Sequence, residues 1–302
     1  MFDILSEDSR GFALSMDLLL ALIPLTLVLG FIAADMDNII YQMEDTVFRG
    51  ATDRAASDAV STLVTTSGDP VNWETTGVAT VVGLAQYDTT KGAPVEGTID
   101  PVKLAAITDT QVQSIIGPNY HYFMNITTLN QTNTPVTIKL MGNASYPNAK
   151  DVVKVQRVVL SSKFKVVTSL IQQIRFTGGG KTYTALPFQT SYTSTNVYDY
   201  WIFLANNQGF TAATVSINNN VFSFGSANMS VPQKINSNFL TTNSTIPNQF
   251  FNNTVTFNGT GSFPSSIDLY IVQTPKNTGA SEITSDSVKL KPSTFNFYLW
   301  LS

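Results

Sequence analysis

The sequence predicts an α+β protein in which a long N-terminal helix precedes two β-rich extracellular lobes, the second a β-sandwich or partly open barrel. Three observations predict this fold class. The stretch from Phe12 to Ala34 is apolar apart from Asp17 and a few small polar residues. Apolar residues then recur at steps of three and four as far as Leu63, which is helical spacing. Beyond residue 65, short runs rich in Val, Ile, Tyr and Phe alternate with turn-forming residues, as strands do.

The composition excludes several classes of function. The chain has 302 residues, a formal net charge of -4 and only 13% charged residues, with no basic stripe that would bind nucleic acid. It has no cysteine, which excludes disulfides, thiol catalysis and cysteine-ligated metals. Its one histidine, His121, lacks the partners that a histidine-based metal site needs. We therefore expect no metal, no cofactor and no nucleic-acid partner.

The first part of the helix has the length and composition of a membrane span. No residue from Leu18 to Ala34 is charged, and about 17 apolar residues are the lower limit for crossing a bilayer. A helix from Phe12 to Leu63 would be roughly 75–80 Å long at about 1.5 Å per residue. Only about 30 Å can lie in hydrocarbon, so the remainder must emerge and pack on another surface. Its apolar stripe consists of Met36, Ile40, Met43, Val47, Ala51, Ala55, Ala59 and Leu63.

The leader and Asp17 need separate explanations. Residues 1–11 carry three acidic residues against Arg10, whereas a secretory signal peptide begins with positive charge. Cleavage by an ordinary signal peptidase after Ala34 is an alternative. A carboxylate at the centre of a spanning helix costs about 2.5–3.5 kcal/mol. Asp17 therefore either marks the membrane interface or finds a positive partner in an assembly, because no Lys or Arg lies between Gly11 and Phe48.

The residues around this junction carry a resemblance. Arg10-Gly11-Phe12, followed by Ala13-Leu14-Ser15-Met16-Asp17, resembles the processing site of type IV prepilins, in which cleavage falls between Gly and Phe. Ser15 and Asp17 also match the serine and the acid of archaeal class III signal sequences, whereas Ala13 stands where that pattern has glutamine. The two alignments place the mature N-terminus at Phe12 or, alternatively, at Ala13.

An archaeal type IV pilin-like protein is the family that this resemblance indicates. It implies a membrane-inserted precursor that a prepilin-type peptidase processes, and a mature chain that joins an extracellular filament at the cell surface. The partners would be further copies of the chain or related pilins, which associate through the N-terminal helix. In that family the new α-amino group is thought to pair with the acid of a neighbouring subunit, here Asp17. Pairing would make the buried charge tolerable.

The chain divides into four predicted parts: a leader at 1–11, the helix at 12–64, a first β-rich head domain at 65–176 and a second all-β domain at 177–302. In the first head domain, the pattern predicts a strand at Val78–Leu84 and two short helices at Ile99–Ala106 and Asp109–Ile116. Asp100 caps the first of these helices and Pro101 occupies its first turn. Further strands are predicted at Tyr120–Thr128, Val136–Met141, Val152–Leu160 and Phe164–Arg175.

The boundary at Phe176–Lys181, FTGGGK, is predicted to be a turn, because the glycine that a phosphate-binding loop requires is replaced by Arg175. In the second domain, Asn206-Asn207-Gln208-Gly209 and Asn218-Asn219-Asn220 are predicted turns. The strands predicted between such turns are Tyr183–Phe188, Val197–Leu204, Ala213–Ile217, Val221–Phe224, Thr254–Phe257, Ile267–Gln273 and Phe295–Leu301.

Seven asparagines head Asn-x-Ser/Thr sequons and are candidate glycosylation sites: Asn125, Asn130, Asn143, Asn228, Asn243, Asn252 and Asn258. About five would arise by chance in a chain this rich in Asn, Ser and Thr, but all seven follow the helix. His121 lies between two tyrosines in a predicted strand, which favours a structural role. The acids of the β lobes form no spaced cluster, so no catalytic residue is assigned.

The sequence thus predicts a structural subunit of an extracellular filament, either type IV pilus-like or archaellum-like, used for surface attachment or related surface functions, and not an enzyme. The alternative is a membrane-tethered monomeric surface protein, such as an adhesin or an envelope component. An anchored hydrolase is a third reading, which would require a cleft with several converging carboxylates.

Overall fold

The computed structural model describes residues 4–88, 90–130, 132–176 and 182–301, without the side chains of residues 4–15, 17, 44, 45 and 176. The chain forms an α+β fold: one long helix and a β-rich region. It divides into two compact units, Met1–Arg54 and Ala55–Ser302. The predicted turn at Phe176–Lys181 falls mostly on residues 177–181, which lie outside the described residues.

The predicted long helix is present as α1, Ile4–Thr65, with Pro24 inside it. It therefore begins within the predicted leader. The short helices are α2 (Trp73–Thr76), α3 (Pro101–Ala106), α4 (Asp109–Ile116), α5 (Tyr192–Val197) and α6 (Ser285–Val288). Both predicted short helices of the first head region are confirmed. The Asp100 carboxylate accepts a hydrogen bond from the backbone N–H of Val102 at 2.9 Å, as the capping pattern predicts.

The strands up to the predicted boundary are β1 (Ala85–Asp88), β2 (Ala93–Ile99), β3 (Tyr120–Leu129), β4 (Pro135–Gly142), β5 (Val153–Ser161) and β6 (Lys165–Phe176). Those after it are β7 (Tyr183–Thr184), β8 (Phe188–Thr190), β9 (Tyr198–Ile217), β10 (Asn220–Gly225), β11 (Gln233–Ile235), β12 (Phe251–Asn253), β13 (Val255–Pro275) and β14 (Lys291–Leu301). The prediction of a strand at Val78–Leu84 is wrong. That segment holds only an isolated bridge from Val81 to Asp69, and regular pairing begins at β1.

The first sheet has the strand order β1-β2-β5-β14-β3-β4. Its pairs are antiparallel except β2 with β5, which meet in parallel at one residue pair. The C-terminal end of α1, together with α4, packs on one face of this sheet, and the buried core there includes Val60, Leu63, Val112, Met124 and Phe297. Burying each large apolar side chain of such a core stabilises the fold by about 1.5–3 kcal/mol.

The second sheet has the order β10-β9-β13-β6, with β11 also paired to β9 and β7 to β13. It has a core on each face: Ile202, Phe257 and Ile271 lie in one, and Trp201 and Tyr270 in the other. The sheet curves as a half-barrel, which meets the predicted sandwich or partly open barrel only in part. A separate pair of strands, β12 and β8, completes the β structure of the described residues.

Two strands of the second sheet are longer than predicted. The turn predicted at residues 206–209 is wrong, because this segment continues within β9, where Asn206 and Gly209 adopt φ of 53° and 84°. The strands predicted at 254–257 and 267–273 are likewise one strand, β13, whose pairing is interrupted by bulges. By contrast, Asn218 and Asn219 form a tight turn with φ of 48° and 74°, which joins β9 to β10 as predicted.

The two sheets exchange strands across the boundary predicted at residue 176. β14, from the C-terminal end, lies between β5 and β3 of the first sheet. β6, from the first predicted head domain, pairs with β13 of the second sheet. Pairing between strands far apart in the chain leaves no local signal, since each strand shows only its own alternation. Both sheets belong to the compact unit Ala55–Ser302.

Candidate functional site

The first part of α1 carries apolar side chains that no other described residue covers. Among the described residues, α1 is the one helix long and apolar enough to cross a membrane, judged by length and composition, and its apolar window is 0% buried. Leu18 is 68% exposed and Phe31 71%. The stretch from Leu18 to Ala34 measures roughly 25 Å at about 1.5 Å per residue, close to the hydrocarbon thickness of a bilayer.

Two threonine side chains of α1 form hydrogen bonds to the backbone of the same helix. The Thr26 hydroxyl donates to the Ile23 carbonyl at 2.9 Å, and the Thr46 hydroxyl donates to the Gln42 carbonyl at 2.7 Å. Such back-bonding satisfies a hydroxyl where no water is present. The threonine inside the span is therefore compatible with a lipid or a protein environment.

The apolar surface continues beyond the length of one span. Met36, Ile39, Ile40, Tyr41, Met43, Val47 and Phe48 are each between 48% and 71% exposed, and we call these seven side chains the helix patch. Most of them share one face of the helix, since they recur at steps of three and four. The same periodic stripe then becomes buried, because Ala59 and Leu63 are 1% and 0% exposed in the core of the head.

The predicted processing and assembly residues cannot be placed by their side chains. Arg10, Gly11, Phe12 and Asp17 all belong to the helical segment Ile4–Thr65. Their side chains lie outside the described residues. Their roles in cleavage and in charge pairing stay predictions.

Three of the seven sequon asparagines adopt one shared geometry. The side-chain carbonyl of Asn143 accepts hydrogen bonds from the backbone N–H and the hydroxyl of Ser145, at 2.9 and 2.7 Å. Asn130 holds Thr132, and Asn243 holds Thr245, in the same manner. In each of these three turns the sequon hydroxyl donates to the side-chain oxygen of the asparagine. This bond does not involve the amide nitrogen, which is the atom that a glycan would modify.

The other four sequon asparagines are engaged in the fold. Asn125 lies within β3 and accepts a hydrogen bond from the Asn296 amide at 2.9 Å. Asn228, Asn252 and Asn258 accept bonds from the Gly225 N–H, the Gln189 amide and the Thr182 hydroxyl, respectively. Sequence alone cannot distinguish these sites from the turn sites, since all seven share one motif.

His121 and the acidic residues form no candidate metal-binding group in the described part of the chain. His121 is exposed on β3, and its ring lies 5.9 Å from that of Trp300. No group of three or more His, Asp or Glu side chains there could hold a metal ion.

Sequence analysis missed a buried carboxylate on β9. Asp199 is 3% exposed and forms salt bridges with Lys234 and Lys276 at 2.7 and 2.9 Å. Burial alone would raise the pKa of Asp199, but the bonds to the two lysines together lower it. The three residues line a cavity of about 360 Å³. No signal along the chain links them, because they come from β9, β11 and the segment after β13.

A second charged cluster connects several elements of the head. Lys103 is 1% exposed, and its ammonium group donates to the Ser67 carbonyl at 2.6 Å. Burial lowers the pKa of Lys103 and raises the pKa of Glu74, each against an opposing effect of the other's charge. Lys165 bonds to Asp100 at 2.9 Å and thereby joins β6 to the cap of α3. The bonds of Lys103 and Lys165 thus connect separate elements of the head.

Comparisons of the chain with protein families, with curated proteins and with solved structures found no match.

Proposed function

We propose that this chain is a structural subunit of a type IV pilin-like filament, in which α1 of each copy packs on α1 of its neighbours and the β-rich heads coat the outside. The supporting observation is the helix patch. A helix that serves only as an anchor needs one bilayer thickness of apolar surface. The helix patch extends the apolar surface of α1 past that length.

The occupant that best suits the helix patch is a second copy of the same helix. The patch and the span form one continuous apolar surface, and an apolar helix face of this width is typical of a helix that is packed on another. Burial of each large apolar side chain contributes about 1.5–3 kcal/mol, so several such contacts per copy would sustain assembly. The apolar residues farther along α1 are already buried by the head, so an intermolecular role falls to the exposed ones.

Processing would supply the charge that Asp17 requires. A prepilin-type peptidase would cleave the leader from the membrane-inserted precursor between Gly11 and Phe12, or alternatively after Phe12. The new α-amino group would then pair with Asp17 of a neighbouring copy, since a carboxylate in an apolar helix is tolerated only when it is paired. The assembled filament would serve surface attachment or a related surface function, without enzymatic activity.

The direct test is the N-terminus of the protein isolated from its native membrane. Intact-mass and N-terminal peptide analysis should find a mature chain that begins at Phe12 or Ala13 and keeps Asp17. An intact Met1, or a chain that begins at Asp35, would contradict prepilin-type processing.

The role of Asp17 can be tested separately. The variant Asp17→Ala should insert in the membrane at the normal level but form few or no filaments, as scored by electron microscopy of sheared cell-surface material. Asp37→Ala is the matched control, because Asp37 is an exposed acid farther along the same helix. Normal filaments from Asp17→Ala would rule out the pairing.

A membrane-tethered monomeric surface protein, either an adhesin or an envelope component, is the second candidate. The size of the head, Ala55–Ser302, favours it, because a filament coat does not need so large a β region. The two functions differ in whether copies of α1 touch one another.

A further inference from the structure

The second sheet contains a polar groove that filament assembly does not require. Its volume is about 890 Å³, within the range of about 300–1,000 Å³ in which ligand sites fall. It forms where β6, β9 and β13 all depart from regular pairing. The side chains that matter for the argument are Gln172, Arg175, Asn206, Gln208, Phe263 and Asp268.

Asp268 shapes the groove from the central strand. Next to it, β6 bulges between the pairs Ile267↔Ile174 and Leu269↔Leu170. On the other side, β9 bulges between the pairs that Ser266 and Asp268 make. The Asp268 carboxylate holds both bulges, since it accepts the backbone N–H of Gln172 at 2.8 Å and the Asn206 amide at 2.6 Å. Asp268 is only 7% exposed, so its role is to hold the two bulges in place and not to contact a ligand.

The backbone of both bulges is held in an unfavourable conformation. Gln172 and Asn206 adopt φ of 58° and 53°, in the left-handed region that side chains other than glycine rarely occupy. Gly209 has φ of 84°, and a Cβ atom there would lie 2.7 Å from the Ser265 hydroxyl oxygen. Such conformations persist only where the surroundings impose them, and they cluster at ligand sites.

The bulges leave a set of ligand-binding groups at the surface. In the described ranges, the guanidinium of Arg175 and the side-chain amide of Gln172 make no hydrogen bond or ion pair, and both residues are exposed. The side-chain oxygen of Gln208 accepts a hydrogen bond from Ser266, and its amide nitrogen bonds to no described residue and can donate to a ligand. Phe263 is 74% exposed at the same groove.

We propose that this groove binds an acidic oligosaccharide. Amide groups both donate and accept hydrogen bonds, as sugar hydroxyls do. The Phe263 ring offers a flat apolar surface for the C–H face of a sugar ring. Arg175 is the cationic residue among those that line the groove. The oxygens of Asp268 already accept hydrogen bonds from Gln172 and Asn206, so Asp268 does not occupy Arg175, and the ligand should carry a carboxylate for bidentate pairing with Arg175.

This inference goes beyond the proposed function and does not depend on it. A filament subunit and a tethered monomer would carry the same groove, and sugar binding can be measured without assembly. Failure of one proposal therefore leaves the other standing.

The test is isothermal titration calorimetry on the full chain in a zwitterionic detergent that contains no sugar. The probes are trigalacturonate and its fully methyl-esterified form, which has the same sugar units without the charges. We expect the acid to bind at least about tenfold more tightly than the ester, as one charge-assisted pair would provide. Arg175→Gln should lower the affinity for the acid to that for the ester. Phe263→Ala should weaken both by about tenfold.

Arg157→Gln, at an exposed arginine of β5, is the matched control and should leave the binding of both probes unchanged. Both groove variants alter exposed side chains, so their thermal unfolding should match that of the unmodified chain. Binding of neither probe at about 10 mM, which corresponds to under 3 kcal/mol, would overturn the proposal. Equal binding of acid and ester, or acid binding that survives both groove variants, would overturn it as well.

Discussion

The two parts of helix α1 follow one apolar pattern but meet different surroundings. Ala59, Val60 and Leu63, near the C-terminal end, are almost fully buried in the core of the first sheet. The side chains of the helix patch, on the earlier part, are between 48% and 71% exposed. An amphipathic stripe indicates that a helix face will be covered, but it does not indicate which surface will cover it.

This contrast indicates how the two parts contribute. The buried part should determine the stability of the head, because its side chains lose their packing when they are shortened. The exposed part should contribute almost nothing to the stability of a single copy and should act only between copies. The first and last predictions below test that division, and the others compare groups that the head binds internally with groups that it leaves exposed.

The largest expected effect is on the buried side. Leu63→Ala should lower the free energy of unfolding of the head by about 2–5 kcal/mol, since it removes buried contacts and leaves a cavity. Ile40→Ala, a comparable truncation on the helix patch, should change it by less than about 0.5 kcal/mol. Chemical denaturation of the full chain in detergent, followed by tryptophan fluorescence, measures both. Equal losses in the two variants would remove the distinction between the two parts of α1.

A smaller loss of stability is expected when the charge of Asp199, which is paired with two lysines inside the head, is removed. Asp199→Asn should destabilise the head by about 1–3 kcal/mol, because it weakens hydrogen bonds to two lysines and leaves a buried polar group poorly paired. The matched control is Glu282→Gln, whose bond to Lys163 joins two half-exposed side chains, so its effect should be within about 1 kcal/mol.

The Asp199 interaction should also depend on pH. Its pKa in the folded head is below the ordinary value of 3.8, so the ionised form stabilises the fold. That contribution is complete above the unfolded pKa and is lost as pH falls through the folded one. Thermal unfolding between about pH 6 and pH 3 should therefore show a shallower acid loss in Asp199→Asn than in the unmodified chain. An unchanged acid limb would contradict the role of Asp199.

The smallest effect on folding is expected from changes at the sequons. There the variants should differ in whether a glycan is attached, and not in stability. If the chain is glycosylated, Asn143 should carry the modification and Asn125 should not, because Asn143 lies in an exposed turn while Asn125 is paired within β3. Intact mass should fall by one glycan in Asn143→Gln and stay unchanged in Asn125→Gln. A glycan at Asn125 with none at Asn143 would contradict this ranking.

Much of the fold followed from local patterns in the sequence. The long helix, the Asp100 cap and the turn at Asn218-Asn219 each depend on neighbouring residues, and all three are confirmed. Sequence reasoning failed where the outcome depends on distant partners. Asn206 to Gly209 reads as a turn, yet Asp268 and the neighbouring strands hold it inside β9.

The same limit applies to the sites. Four residues of the helix patch, Met36, Ile40, Met43 and Val47, could be predicted, because they belong to the apolar stripe that is visible in the sequence. The polar groove of the second sheet could not, because Gln172, Asn206 and Asp268 lie on three strands and only their pairing brings them together. Gln172 in particular gave no signal, since glutamine has no preference for the left-handed region that it occupies.

Contact between copies of the exposed part of α1 is the central claim, and the absence of cysteine makes it directly measurable. Single-cysteine variants Ile40→Cys and Val47→Cys should form covalent dimers on mild oxidation in native membranes. Val221→Cys, at a position of β10 that is 64% exposed against 67% for Val47, should stay monomeric. Monomers at both helix positions, or dimers to the same extent at all three, would contradict assembly through α1 and favour the tethered monomer.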